Sequence, residues 1–188
     1  IGVESEEGKG SEFWFTIRVV KDENRKIEEI SLGDIKGANI LIIDDNATNR
    51  EILNKQLTSW GVIVEEADNG PTALKKMLDA EKQGQKFDMV ILDLQMPGMD
   101  GESVARSIKM IDKISDTPLV LMTSQGIRGE AKKMEDAGFS AYLIKPAKES
   151  ELLDCLSLLS KKSNLISKKE KRNIITRHTI VDLRRESI

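Results

Sequence analysis

The sequence predicts an α/β fold, doubly wound in three αβα layers, with a separate β-hairpin fragment ahead of it. Three observations carry this. Five apolar runs of strand length recur between Ala38 and Ser160, segments of helical period lie between them, and a period-two alternation runs onward from Glu12. Strands that alternate with helices need crossover connections, so the sheet is expected to be mainly parallel and covered on both faces.

Composition bounds the class. The 188 residues are 39% hydrophobic and 32% charged, as in a soluble globular protein, and the net charge of −3, with both signs interspersed, gives no reason to expect nucleic acid. No apolar run approaches the roughly 18–20 residues that cross a bilayer, and the start lacks a signal-peptide layout, so no direct membrane contact and a cytoplasmic location are expected. The chain opens at Ile1 without Met and reads as part of something longer. The single cysteine, Cys155 in "ELLDCLSLL", excludes an internal disulfide and reads as core filler in a reducing compartment.

In chain order, "IGVESEEGKGSEFWFTIRVV" (1–20) reads as a hairpin: "EEGKG" is the turn, Phe13, Phe15 and Ile17 point one way, and Trp14, Thr16 and Arg18 the other. Two strands alone are marginal, so this is expected to be the end of a larger sheet. Its uncovered Phe13–Val20 edge is expected to pair with a second copy, giving a homodimer, or to pack on the following domain. Residues 21–37 are polar and read as a linker.

From Ala38 the runs Ile40–Ile43, Val62–Val64, Met89–Leu92, Leu119–Met122 and Ala141–Ile144 predict the strands. Ile52, Leu53, Leu57 and Trp60 predict one face of the first helix; the second opens at Pro71 and carries Leu74, Met77 and Leu78. Val104, Ala105, Ile108 and Ile111 mark the third, Glu130–Ala137 a short fourth ended by Gly138, and Leu152, Leu153, Leu156 and Leu159 the last.

In a doubly wound sheet, ligands bind beyond the carboxyl ends of the strands where the order reverses. Those ends carry Asp44-Asp45, Asp93, Thr123-Ser124 and Lys145-Pro146. Each alone has an ordinary explanation as an N-cap, a turn residue or a surface lysine. Together they describe one polar crevice. A pair of unit charges 4 Å apart is worth about 4 kcal/mol at an effective dielectric of 20, so three crowded carboxylates need a proton or a cation. An all-oxygen set without histidine or thiolate suits a hard ion, Mg²⁺ or Mn²⁺, and a lysine and a hydroxyl beside it supply donors for phosphoryl oxygens.

On these residues, together with "VILDLQMPGMDG", "LMTS" and "YLIKP", residues 38–160 resemble the receiver domain of two-component response regulators. No position of that set departs from the pattern. The resemblance implies a flavodoxin-like five-stranded parallel sheet of order 2-1-3-4-5. It implies Asp93 as phosphoacceptor, Asp44, Asp45, Asp93 and the backbone carbonyl of Gln95 as Mg²⁺ ligands, with Asp45 the more direct of the acidic pair, and Lys145 as partner of the phosphoryl oxygens. Thr123 would be the switch hydroxyl, Tyr142 the switch aromatic, and Lys145–Pro146 a cis bond. The partner would be a histidine-phosphotransfer or kinase dimerisation domain carrying a phosphohistidine.

Residues 1–20 resemble the last strands of a histidine kinase ATP-binding domain, and residues 161–188, with "NIITRHTIVDLRRESI", resemble a linker towards a second receiver. The expected parent is therefore a hybrid sensor histidine kinase. The nucleotide-binding asparagine, the other glycine boxes and the phosphoacceptor histidine of such a kinase are absent here, and "GKGS" does not satisfy a P-loop, so this chain is expected not to bind or hydrolyse ATP and to catalyse only its own phosphorylation and dephosphorylation. His178 reads as a solvated linker residue. Two other readings are a receiver-like scaffold that never carries phosphate, and a metal-dependent phosphatase, which needs a second aspartate where this chain has Gln95.

Overall fold

The computed structural model describes residues 1–8, 10–18, 34–124, 131–165 and 174. Linker residues 21–33, Glu130, and the tail beyond Leu165 apart from Ile174, His178 included, lie outside the described residues.

Strands β1 (Gly2–Glu6) and β2 (Gly10–Trp14) form a two-stranded antiparallel sheet. Gly8 provides its turn at φ 78, a conformation that a Cβ disfavours. The pairing ends at Gly2↔Trp14, so the strand is shorter than the alternation suggested: Phe15 and Ile17 have no residue of β1 left to pair with. Phe13, Phe15 and Ile17 are exposed.

The remaining elements are β3 (Asn39–Ile43), α1 (Ala47–Ser59), β4 (Ile63–Ala67), α2 (Gly70–Lys82), β5 (Met89–Asp93), α3 (Gly101–Met110), β6 (Leu119–Thr123), α4 (Ala131–Asp136), β7 (Ala141–Ile144) and α5 (Glu149–Leu165). All sheet pairings are parallel, in the order β4-β3-β5-β6-β7, which is the expected doubly wound topology. Because a strand's side chains alternate, each central strand feeds two cores. Ile40 and Ile42 of β3, Met89 and Ile91 of β5, and Val120 and Met122 of β6 join Leu53, Leu57, Leu152 and Leu156 beneath α1 and α5. Leu41, Ile43, Val90, Leu92, Leu119 and Leu121 join Ala73, Met77, Val104, Ile108 and Met134 beneath α2, α3 and α4.

Local chemistry explains where helices begin. Asn46 caps α1 by accepting from the amides of Thr48 and Asn49, Asn69 caps α2 through Thr72, and Asp100 caps α3 through Ser103. The Ser103 amide holds the Asp100 carboxyl below the usual aspartate range.

Four further sequence expectations are corrected. The second receiver strand is Ile63–Ala67, not Val62–Val64: as an edge strand it tolerates Glu65, paired with Lys76, and Glu66, paired with Arg50. Ile52 is 59% exposed, because the buried stripe of α1 is only as wide as Leu53, Leu57 and Trp60. The folded body begins before residue 38: Asp34–Gly37 forms a turn with Ile35 fully buried among α1 and α5 residues, and the Asp34 carbonyl accepts from Ser160 Oγ at 2.7 Å. A single isoleucine flanked by charges carries no period, which is why it reads as linker. Finally, α5 runs past Ser160 to Leu165, and Lys161 Nζ reaches Asp34 Oδ2 at 2.9 Å. Among the described residues, no helix is long and apolar enough to cross a membrane.

Cys155 is fully buried, and its thiol is pushed up from 9.0 to about 12, first by burial and then by neighbouring Asp154. A raised thiol pKa in the folded state means that the unfolded chain ionises first, so stability falls as pH rises from 9.0 towards about 12. A disulfide reagent at pH 8 should leave the native chain unmodified and label it fully in denaturant; rapid native labelling would place the thiol at the surface.

Candidate functional site

Residues at the ends of β3, β5, β6 and β7 meet at the carboxyl edge of the sheet. The order reverses beside β3, whose chain leaves first to β4 and then returns to β5 on the other side, and this opens a crevice there. Into it the strands deliver Asp44 and Asp45 after β3 and Asp93 at the end of β5. Ligand oxygens of Asp44, Asp45 and Asp93 all lie within 4.8 Å of one another.

One cation enters the cluster. Lys145 Nζ donates to Asp44 Oδ2 at 2.7 Å and to Asp93 Oδ1 at 2.9 Å. Burial would lower the lysine pKa, but hydrogen bonds and charge from Asp44 and Asp93 outweigh it, and the pKa is raised. The ammonium is therefore a permanent feature at neutral pH. Its backbone continues the pairing of β7, where the Lys145 amide donates to the Thr123 carbonyl at 2.7 Å, and the expected cis Lys145–Pro146 bond is present.

The three carboxylates differ in surroundings. Asp44 is 2% exposed and heavily used: its Oδ1 accepts from the Asn46 amide at 2.8 Å, and Asn49 Nδ2 lies 3.3 and 3.1 Å from its two oxygens. Asp93 is 8% exposed, while Asp45 is exposed. With Lys145 the one ammonium paired with them among the described residues, three carboxylates leave two uncompensated negative charges, and their all-oxygen chemistry fits a divalent cation.

Of the other residues named from sequence, Thr123 is fully buried at the end of β6 and Gln95 is exposed two positions beyond Asp93. Tyr142 is half-buried on β7 and packs against the core beneath α2, α3 and α4. Three participants were not singled out from the sequence. Asn49 holds Asp44, and Arg50 Nη1 donates to the main-chain carbonyls of Asp44 at 2.7 Å and Asp45 at 3.2 Å. Gly101 opens α3 so close to the Asp93 carbonyl that a Cβ would collide with it. The repeated glycine of "PGMDG" was the available signal for the last of these.

The response regulator receiver domain family matches residues 40–157. The chain belongs to that family. This receiver is 29% identical over 170 residues to hybrid signal transduction histidine kinase L of Dictyostelium discoideum, covering 87% of this chain and 10% of that protein. It is 32% identical over 162 residues to the autoinducer 2 sensor kinase/phosphatase LuxQ of Vibrio vulnificus, covering 82% and 18% respectively. The chain thus spans a small part of the relatives that it resembles. Among solved structures, the receiver domain of the sensor histidine kinase PA1611 from Pseudomonas aeruginosa, with a magnesium ion coordinated in its active site cleft, is 28% identical with a TM-score of 0.57. It covers 66% of this chain and 98% of that one. The Vibrio cholerae chemotaxis protein CheY4 is 28% identical with a TM-score of 0.59, over 65% and 98%. The chain is accordingly a receiver domain of two-component signalling, homologous to the receivers of hybrid histidine kinases.

Gly101→Ala should force α3 away from the Asp93 carbonyl and cost about 1–3 kcal/mol, as overpacking does. Urea unfolding measures it; an unchanged midpoint would mean that the helix start yields freely.

Proposed function

We propose that this receiver accepts a phosphoryl group from a phosphohistidine onto Asp93 in a Mg²⁺-dependent reaction. The observation that carries the reading is Lys145 Nζ bridging Asp44 and Asp93 inside a cluster of three carboxylates. An Asp93 carboxylate oxygen attacks phosphorus, the new P–O bond forms as the P–N bond breaks, and the imidazole leaves with the bond's electron pair. Lys145 carries the positive charge that meets the phosphoryl oxygens. Thr123 supplies the hydroxyl that turns towards them afterwards, and Tyr142 responds on the same side of the sheet.

Asp45, Asp93 and the Gln95 carbonyl would hold the metal directly. Asp44 acts more remotely, since the Asn46 amide, Asn49 and Lys145 already occupy its oxygens. Bound there, Mg²⁺, or Mn²⁺ in its place, neutralises charge between carboxylate and phosphoryl group and aligns them. The acyl phosphate carries roughly two negative charges where the free carboxylate carried one, and coupling of this kind is worth about 1–3 kcal/mol, a bias between existing states.

The donor would be a histidine-phosphotransfer or kinase dimerisation domain, and the parent a cytoplasmic or membrane-anchored hybrid histidine kinase. Residues 1–20 would end its ATP-binding domain, and residues 161–188 would lead to a second receiver. The exposed Phe13, Phe15 and Ile17 support association of the hairpin with further sheet or a second copy.

With acetyl phosphate and Mg²⁺, intact mass should rise by one phosphoryl group in the wild type and not in Asp93→Asn. Equal labelling of the variant would move the acceptor elsewhere. No labelling of the wild type, with no heat of Mg²⁺ binding, would favour a scaffold that works without phosphate. Asp45→Ala should abolish labelling while leaving the thermal melt of the metal-free chain unchanged.

A further inference from the structure

We infer that Arg50 is a positioning residue for the metal site, holding the main chain of Asp44 and Asp45 so that their carboxylates point into the crevice. The inference rests on the proposed Mg²⁺-dependent reading of that site.

The Asp45 carboxylate is exposed and has no hydrogen-bond partner among the described residues, so its direction is inherited from its backbone. That backbone is gripped at its carbonyl oxygens. Arg50 Nη1 donates to Asp44 O at 2.7 Å and Asp45 O at 3.2 Å, spanning the two residues whose side chains must converge. The guanidinium is itself fixed: Nε pairs with Glu66 Oε2 at 3.2 Å, and the Arg50 side chain is only 17% exposed. Glu66 is in turn held at its other oxygen by Asn54 Nδ2 at 2.5 Å, and Asn54 Oδ1 accepts from Thr58 Oγ1 at 3.0 Å.

Arg50, Asn54 and Thr58 are four residues apart and therefore share one face of α1. They form a polar rail along edge strand β4 that ends on the acidic pair. A planar guanidinium with several donors can grip two carbonyls and a carboxylate together; a lysine ammonium is a point charge on a flexible stem and cannot hold that fork. Glu66 also offsets the Arg50 charge, which would otherwise oppose a cation nearby.

Positioning and charge make opposite predictions. If Arg50 acted only through its charge, removing it would tighten Mg²⁺ binding. If it orients the ligands, removing it weakens binding, by about tenfold or more for a group supporting metal ligands. Calorimetric Mg²⁺ titration of the full 188-residue chain should therefore show weaker binding in Arg50→Met and partial recovery in Arg50→Lys. Phosphorylation from acetyl phosphate should shift with it, half-maximal labelling of Arg50→Met needing about tenfold or more Mg²⁺ than wild type.

Affinity that is unchanged or tighter in Arg50→Met, with a wild type that binds and is phosphorylated normally, overturns the role of Arg50 alone. A wild type that neither binds Mg²⁺ nor is labelled overturns the proposed function beneath it. Thermal melts of the metal-free variants establish that the fold is intact. Should Arg50→Met not fold, Arg50→Gln, which keeps one amide donor, must weaken Mg²⁺ binding in the same direction; unchanged or tighter binding there equally overturns the inference.

Discussion

Three carboxylates of the same sign are brought within 4.8 Å of one another, and a single ammonium holds two of them together. Much of the remaining structure can be read as the means of maintaining that arrangement. At an effective dielectric of 20, two such charges 4 Å apart repel by about 4 kcal/mol, comparable with a large part of a domain's net stability. Lys145 offsets part of this, the Asn46 amide and Asn49 carboxamide solvate Asp44, and the remaining charge suits a divalent cation. A site left with net negative charge by its own protein suits a cation.

The fold makes such crowding feasible by burying everything else. The central strands are apolar on both faces, so the polar residues of β3, β5, β6 and β7 gather at strand ends, where the sheet order reverses. Register then places partners: Asp93 lies opposite Met122, Thr123 opposite Ile144, and Lys145 one step beyond. The edge position of β4 lets it carry Glu66, which a buried central strand could not, and through Arg50 that glutamate reaches the acidic pair.

The two ends of the receiver are tied to each other and not only to the sheet. Ile35 sits wholly within the core beneath α1 and α5, while Asp34 takes hydrogen-bond and ionic contacts from Ser160 and Lys161 of α5. The hairpin of β1 and β2 is a separate sheet with its aromatic residues exposed, as expected of strands that need further partners.

The fold class, and the gathering of the candidate site residues at one edge of the sheet, were legible in the sequence for one reason. Asp44, Asp45, Asp93, Thr123 and Lys145 each close an apolar run, and period two and period 3.6 are visible without coordinates. Where the pattern is short or mixed, tertiary structure decided. Ile35 is a lone aliphatic among charges, Ile52 is apolar but falls outside the buried stripe, and β4 contains two glutamates that only an edge can accept. Asn49 and Arg50 look from sequence like any solvated face of a helix. Their roles depend on which carbonyl and carboxylate oxygens come within hydrogen-bond distance, and contacts across the turn and on to Glu66 are set by the three-dimensional path of the chain, not by residue type or spacing.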